Sequence, residues 1–507
     1  MLNRREFLYL AGAGTAGLLA GQTGGLRPLA HAAADSDFQP DVELALKATV
    51  SESPILPGRP TVVWTYRGRL LKGEAWHLAD SGRSYLGPTI RVRRGQKIRI
   101  HFYNELPEES IIHWHGLHVP AEMDGHPRDV IATGQKFVYE FEVRNRAGTY
   151  WYHPHPHART GPQVYGGLAG LFIVTDDEEQ SLTLPRDAFD LPLVIQDRTF
   201  DENNGLVYLT HPMERMTGFL GNRILVNGQP RYAQKVLSRP YRLRILNGSN
   251  SRIYNLAWAD GRPLTVIGTD GGLLPSPIVR PNVLLGPAER VEIWADFSGM
   301  GKGDEATLVS RELDLGPLSG MTGPGGMRGP ATGGRFLPNG APFAVVRFEI
   351  SHTEKSSSRL PQQLGEFPPD DMDSAANHSA PRQFHIAMNH MRGVINNRVF
   401  EMNRVADDEV VQLGTREVWE FINRGGMPAL PHPMHVHGLQ FRVLGRLGSL
   451  YDGYLDEGWK DTVLLMPGER VRLMMRFEDY DGLFLYHCHN LEHEDMGMMR
   501  NYYVRAT

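Results

Sequence analysis

Ile90-Arg91-Val92-Arg93-Arg94-Gly95-Gln96-Lys97-Ile98-Arg99-Ile100 alternates apolar and polar residues on either side of a glycine-bearing turn. Alternation with period 2 sends every second side chain to one face, the pattern of strands that are buried on one side only. The pattern returns in Val236-Leu237-Ser238-Arg239-Pro240-Tyr241-Arg242-Leu243-Arg244-Ile245-Leu246-Asn247 and again in Val410-Val411-Gln412-Leu413-Gly414-Thr415-Arg416-Glu417-Val418-Trp419-Glu420-Phe421. Each copy is followed by a Gly-bearing turn and a further alternating strand, starting at Gly134-Gln135-Lys136-Phe137, at Gly286-Pro287-Ala288-Glu289-Arg290-Val291 and at Pro467-Gly468-Glu469-Arg470-Val471. One plan repeated three times predicts an all-β chain of three consecutive homologous β-sandwich domains with antiparallel strands. The length of 507 residues agrees, since a domain takes about 150.

Composition shifts set the boundaries at 35–180, 181–352 and 383–507. Residues 353–382 are polar and rich in Ser, Pro and Asp, and read as a linker. Residues 314–342 are loaded with Gly and Pro and read as a long loop of the second domain. Residues 1–34 read as an address: Asn3-Arg4-Arg5-Glu6-Phe7-Leu8 is a twin-arginine pattern, followed by a short Ala/Gly/Leu run and the cleavage-like Ala30-His31-Ala32. This predicts export in folded form to the periplasm or beyond. No later segment has the length and hydropathy of a membrane span. A net charge of −5 argues against nucleic acid or an anionic membrane surface as partner.

The last stretch holds the only cysteine: Tyr486-His487-Cys488-His489-Asn490-Leu491-Glu492-His493-Glu494-Asp495-Met496-Gly497-Met498. A single Cys in an exported chain forms no internal disulfide. A thiolate with imidazole and a distant thioether makes most of a blue-copper electron-transfer site. Three other segments are rich in histidine: His113-Trp114-His115-Gly116, His153-Pro154-His155, and His432-Pro433-Met434-His435-Val436-His437-Gly438. Two fall in the first domain and one in the third with Cys488; the second domain has no counterpart. Residues i and i+2 of a strand share a face, and i+1 takes the other. His113, His115, His153, His155, His435, His437, His487 and His489 therefore form one set. Cys488 faces away from His487 and His489 and joins His432, His493 and Met498 in another. Eight imidazoles shared equally by two domains are too many for one ion and suit three coppers at an interface. Separate surface histidines or zinc sites are the competing reading, but the Cys488 group arises independently and fits the copper scheme.

These four segments, in this order on a three-domain plan, resemble the multicopper oxidase family, in its bacterial laccase and cuprous oxidase branch. The resemblance runs from about Asp37 to the end and implies three cupredoxin-like Greek-key sandwiches. It implies four copper ions: a type 1 copper on His432, Cys488, His493 and a weak axial Met498; a type 2 copper on His113 and His435; and a type 3 pair on His115, His153, His155, His437, His487 and His489. It also implies reduction of O2 to water with electrons from phenols, aromatic amines or metal ions. All sites fit within one chain, so a monomer is expected. Asp124 and Glu494 match positions where relatives carry proton-relay carboxylates. His157 lies beyond the family pattern and reads as an outer or exposed residue. Asp461 is placed to orient a ligand imidazole or to bond at a strand end. Some relatives carry an acid just before the third motif; Met427-Pro428-Ala429-Leu430-Pro431 has none.

Donors are expected at the His493 edge, with phenols the first expectation and Cu(I) or Fe(II) the alternative. The alternative is signalled in relatives by methionine-rich insertions, since thioethers are soft ligands. Here only Met321 and Met327 fall in the Gly/Pro loop, with Met372, His378, Met388, His390 and Met391 later. A copper-free scaffold is the reading from another class, and every expected ligand is present against it.

Overall fold

The computed structural model describes residues 37–82, 84–315, 337–367, 372–389, 392–425 and 429–506. The twin-arginine segment, most of the Gly/Pro loop with Met321 and Met327, and His390, Met391, Met427 and Pro428 lie outside the described residues.

The repeated stretches form strands where alternation places them: Thr89–Arg93 and Lys97–Asn104, Ala233–Leu237 and Pro240–Asn247, Val410–Gln412 and Thr415–Asn423. Their partners Lys136–Glu142, Arg290–Asp296 and Arg470–Phe477 each pair antiparallel with the second strand of the corresponding unit. The expectation of purely antiparallel sandwiches needs correction. The two strands of each unit do not fold back as a hairpin but enter different sheets. The first runs parallel to a strand late in the same sandwich (Gly170–Thr175, Phe343–His352 or Met499–Arg505). The second runs parallel to an early strand (Val42–Ser53, Asp190–Arg198 or Arg382–Asn389). Alternation reports which face is buried, not which neighbour a strand takes.

Six sheets result among the described residues, paired into three sandwiches. Each encloses its own apolar core: around Trp114, Tyr139 and Phe172 in the first, Leu243, Trp258 and Phe348 in the second, and Trp419, Phe441 and Tyr486 in the third. Each fully buried Val, Leu, Ile or Phe contributes about 1.5–3 kcal/mol. Residues 353–367 hold no regular element, yet Leu364 is buried with Leu184, Ile267 and Trp294 of the middle sandwich. A buried ionic network joins the first and second sandwiches: Arg244 meets Asp190, Glu292 and Thr149, and Arg242 meets Glu179 and Glu292. Its cations and anions compensate one another, as burial requires. No helix among the described residues is long and apolar enough to cross a membrane.

Candidate metal centre

Four strands and one short helix carry most of the candidate ligands; His155, His437 and His489 each lie one residue past a strand end, and Met498 lies just before the strand Met499–Arg505. Ile112–His115 pairs with Gly148–Pro154 so that His113 lies opposite His153. His432–Val436 pairs with Gly482–Cys488 so that His435 lies opposite His487 and Met434 opposite Cys488. Alternation then sorts the faces. Trp114, Met434 and Cys488 point into the cores of their own sandwiches. The histidines between them point outward and meet across the interface of the first and third sandwiches, where His113 stacks on His437 and His115 on His435 with ring centroids 3.7 Å apart in both pairs.

All eight histidines of this set are buried. The ligand nitrogens of seven fall in overlapping groups within 4.8 Å of one another: His113 with His115 and His153, His113 with His435 and His437, and His155 with His437 and His487. His489 borders them, with its ring centroid 5.0 Å from that of His115 and 5.2 Å from that of His153. Five rings donate an outward Nδ1–H. His113 donates to the Asp124 carbonyl (2.7 Å), His153 to that of Pro154 (2.9 Å), His435 to that of Asp461 (2.8 Å), His437 to Asp124 Oδ2 (2.7 Å) and His487 to the Cys488 carbonyl (3.2 Å). Each of these tautomers leaves Nε2 as a bare lone pair. The lone pairs then confront one another: His113 Nε2 lies 3.3 Å from His435 Nε2, and His437 Nε2 lies 3.0 Å from His487 Nε2. Burial holds His115, His153, His435, His437 and His489 well below the ordinary imidazole range and lowers His155 to about 3. Burial thus disfavours a proton on His435 and on His437, one member of each facing pair. Both ring nitrogens of His489 and Nδ1 of His155 find no hydrogen-bond partner in another residue, a cost of about 1–3 kcal/mol per buried group. Neutral, inward-facing, unpartnered imidazoles are what a group of transition-metal ions needs.

The second set lies on the far side of the same strand. Cys488 Sγ is 3.4 Å from His432 Nδ1 and 3.7 Å from His493 Nδ1. Asn490 caps the helix Leu491–Asp495 that brings His493 back to the sulfur. Met498 is buried in the same core, and its backbone bonds to Cys488 and His493. Burial pushes the Cys488 thiol up and lowers His493 to about 4. Metal entry must therefore displace the thiol proton but none from His493. One soft sulfur with two imidazoles suits copper or zinc by donor type.

Asp124 and Glu494 both border the histidine set. Asp124 is fully buried, with Oδ2 on His437 and Oδ1 unpartnered, 3.4 Å from His113 Nδ1. Gly125, at φ +85°, keeps it there: a Cβ would stand 2.1 Å from the Ile112 carbonyl, so only glycine lets this turn press on the ligand strand. Glu494 lies 3.2 Å from His487 Nδ1 and 3.5 Å from His155 Nε2. Asp461 accepts from His115 Nε2 at 3.0 Å. His157 turns away from the set and lies against Phe400 at the exposed edge.

Two features escape a reading of the sequence. His493 is buried, and its Nε2 donates to the Met216 carbonyl at 2.9 Å. Met216 belongs to the helix Pro212–Thr217 of the middle sandwich. This segment is tied down by buried Glu492, which accepts from Tyr208 Oη (2.6 Å), Asn250 Nδ2 (2.9 Å) and the Phe219 amide (3.0 Å). The other is Arg290, also of the middle sandwich, whose side chain reaches Asp461. The sequence carries one hint, the acid Glu492 between the candidate ligands His489 and His493, and the structure buries it.

Comparisons with known proteins agree with this geometry. Family profiles described as multicopper oxidase match residues 67–179 and 375–507. A laccase of Bacillus stratosphericus is 32% identical, the alignment covering 87% of this chain and 90% of that protein. The crystal structure of the McoA multicopper oxidase of the hyperthermophile Aquifex aeolicus superposes with a TM-score of 0.77 at 34% identity, over 92% of this chain and 97% of the other. A multicopper oxidase of Campylobacter jejuni, described as a metallo-oxidase, superposes with a TM-score of 0.72 at 28% identity, over 92% and 91%.

Proposed function

The chain belongs to the multicopper oxidase family, and from that premise we propose that it is a laccase-like enzyme taking single electrons from phenolic or aromatic amine donors and passing them to O2. Four coppers are assigned: type 1 on His432, Cys488, His493 and Met498, type 2 on His113 and His435, and a type 3 pair on His115, His153, His155, His437, His487 and His489. Bound copper supplies one-electron relay at the first site and four-electron reduction of O2 to water at the second. The observation that carries the reading is Cys488 between His487 and His489, on the opposite face of one strand. The two ligand sets are joined by adjacent residues, so an electron leaving the sulfur has a through-bond path to both imidazoles. Asp124 and Glu494 are the carboxylates placed to pass on the protons that oxygen reduction consumes, Asp124 at its unpartnered Oδ1. The three sandwiches at 35–180, 181–352 and 383–507, export by the twin-arginine route to the periplasm or outside, and a monomeric state complete the proposal.

A thioether such as Met498 would donate only weakly to a bound copper, and removing a weak donor would leave a more oxidising site. A Met498→Leu protein is expected to stay blue with a raised type 1 potential. A redox titration with no rise removes Met498 from the ligand set.

Donors reach His493 through the helix Pro212–Thr217, because His493 Nε2 is bonded to Met216. The same helix favours a second reading, oxidation of Cu(I). It carries Met216, Met213 at 42% exposure and His211 as its N-cap, all soft or borderline donors beside the type 1 site. Oxygen uptake by the copper-loaded protein separates the two. The laccase reading expects higher kcat/KM for an electron-rich phenol than for Cu(I), and a Met213→Leu/Met216→Leu double variant unchanged toward Cu(I). Much higher kcat/KM for Cu(I), lost in the double variant while phenol oxidation persists, establishes the metallo-oxidase instead.

A further inference from the structure

We infer that Arg290, from the sandwich without ligands, is a positioning residue for the copper cluster: its guanidinium fork fixes Asp461, which turns the His115 ring so that Nδ1 faces the metal. The inference rests on the proposed assignment of His115 and His435 as ligands.

His115 is the exception among the rings with a bonded outer nitrogen. His113, His153, His435, His437 and His487 direct Nδ1 outward, whereas His115 donates outward from Nε2, to Asp461 Oδ1 at 3.0 Å. Its Nδ1 points inward, 3.4 Å from His153 Nε2. A ring flip would bring a proton to the metal side, so the acceptor at Nε2 decides whether His115 is a ligand at all. Asp461 serves a second ring through its backbone, since its carbonyl takes the His435 Nδ1 proton. Thr462 Oγ1 ties the two together, 3.2 Å from His115 Nε2 and from His435 Nδ1.

Arg290 is built for this position. It is fully buried, and each of its five N–H groups has an acceptor. Two go to Asp461, Nη1 to Oδ1 at 2.7 Å and Nη2 to Oδ2 at 2.5 Å. The others go to the carbonyls of Ala288 (3.0 Å), Asp270 (3.0 Å) and Thr149 (2.9 Å). Thr149 lies on the strand that presents His153, so this one side chain touches all three sandwiches. A bidentate fork sets both the position and the plane of a carboxylate, which a lysine ammonium does not. Gly116 is independent support. Directly after His115 and at φ +84°, it leaves the space the pair occupies: a Cβ there would stand 2.3 Å from Asp461 Oδ2 and 3.0 Å from Arg290 Nη2. The middle sandwich thus shapes the cluster without supplying a ligand.

The test uses copper-loaded full-length Arg290→Lys, Arg290→Gln and Asp461→Asn, with the parent and His115→Ala as references. It measures bound copper against a graded chelator, the type 2 electron paramagnetic resonance signal and the blue thiolate band. Expected is a blue band at parental intensity, which reports an intact third sandwich, with cluster copper held about 10–100-fold more weakly and an altered type 2 signal. Parental cluster affinity and signal in the blue Arg290 variants overturn the inference. Parallel loss of the blue band also overturns it, because that marks collapse of the interface. Full cluster copper in His115→Ala strikes instead at the ligand assignment beneath it.

Discussion

A Cys488→Ser protein is expected to be colourless, to bind one copper fewer per chain, and to consume oxygen at background with every donor. Cys488 is buried in the core of the third sandwich, with His432 and His493 as its polar neighbours. Serine fits the space, and the exchange of sulfur for a buried hydroxyl costs about 1–3 kcal/mol, little against the core around Trp419 and Tyr486. The fold therefore survives, which circular dichroism and the melting temperature verify. The donor chemistry does not survive. A hydroxyl is hard and keeps its proton, so the site loses both its soft ligand and the charge-transfer colour that goes with it. The covalent path also fails at its first atom, because the remaining histidines of the two sets touch different faces of the strand. The other three coppers should remain, since no ligand of theirs is altered. Oxygen uptake within tenfold of the parent would mean that electrons enter the histidine cluster by another route, and the proposed relay would be wrong.

Period-2 alternation carried the reading of the site further than it carried the fold. It places Cys488 on the face opposite His487 and His489 from spacing alone, and in the structure that face is the core of the third sandwich. The same rule separates Trp114, in the core, from His113 and His115 at the interface. It does not reveal that Thr89–Arg93 and Lys97–Asn104 part into different sheets, because both arrangements bury the same alternate residues. Nor does it reveal what the middle sandwich does. Met216 meets His493 across 277 positions and Arg290 meets Asp461 across 171, and neither carries a local signal. A lone Arg in an alternating strand reads as a solvated residue until the tertiary structure buries it. Eight of the candidate ligands are legible because they come as His-x-His pairs; the groups proposed to orient them come singly.

An Asp124→Asn protein is expected to keep its blue colour and its copper while kcat falls about 10²–10⁴-fold, the usual contribution of a positioned acid. Asparagine keeps the size of the side chain, and its amide oxygen can accept the His437 Nδ1 proton that Asp124 Oδ2 now takes at 2.7 Å. The ligand ring should therefore hold its orientation. What is lost sits on the other atom. Oδ1 is fully buried, has no partner, and lies 3.4 Å from His113 Nδ1; in asparagine its place goes to an NH2 that neither takes up nor releases a proton. Gly125 keeps the turn against the Ile112 carbonyl in either protein, so the exchange is not relieved by movement of the loop. Electron entry does not pass through Asp124, and anaerobic bleaching of the blue band by a phenol should proceed at the parental rate. Return of the colour on mixing with oxygen should slow by the same factor as kcat. That split separates a proton role from a ligand-holding role, which would lower copper content or disturb the type 2 signal. Parental turnover in Asp124→Asn would leave Glu494, between His487 and His155, as the carboxylate to test next.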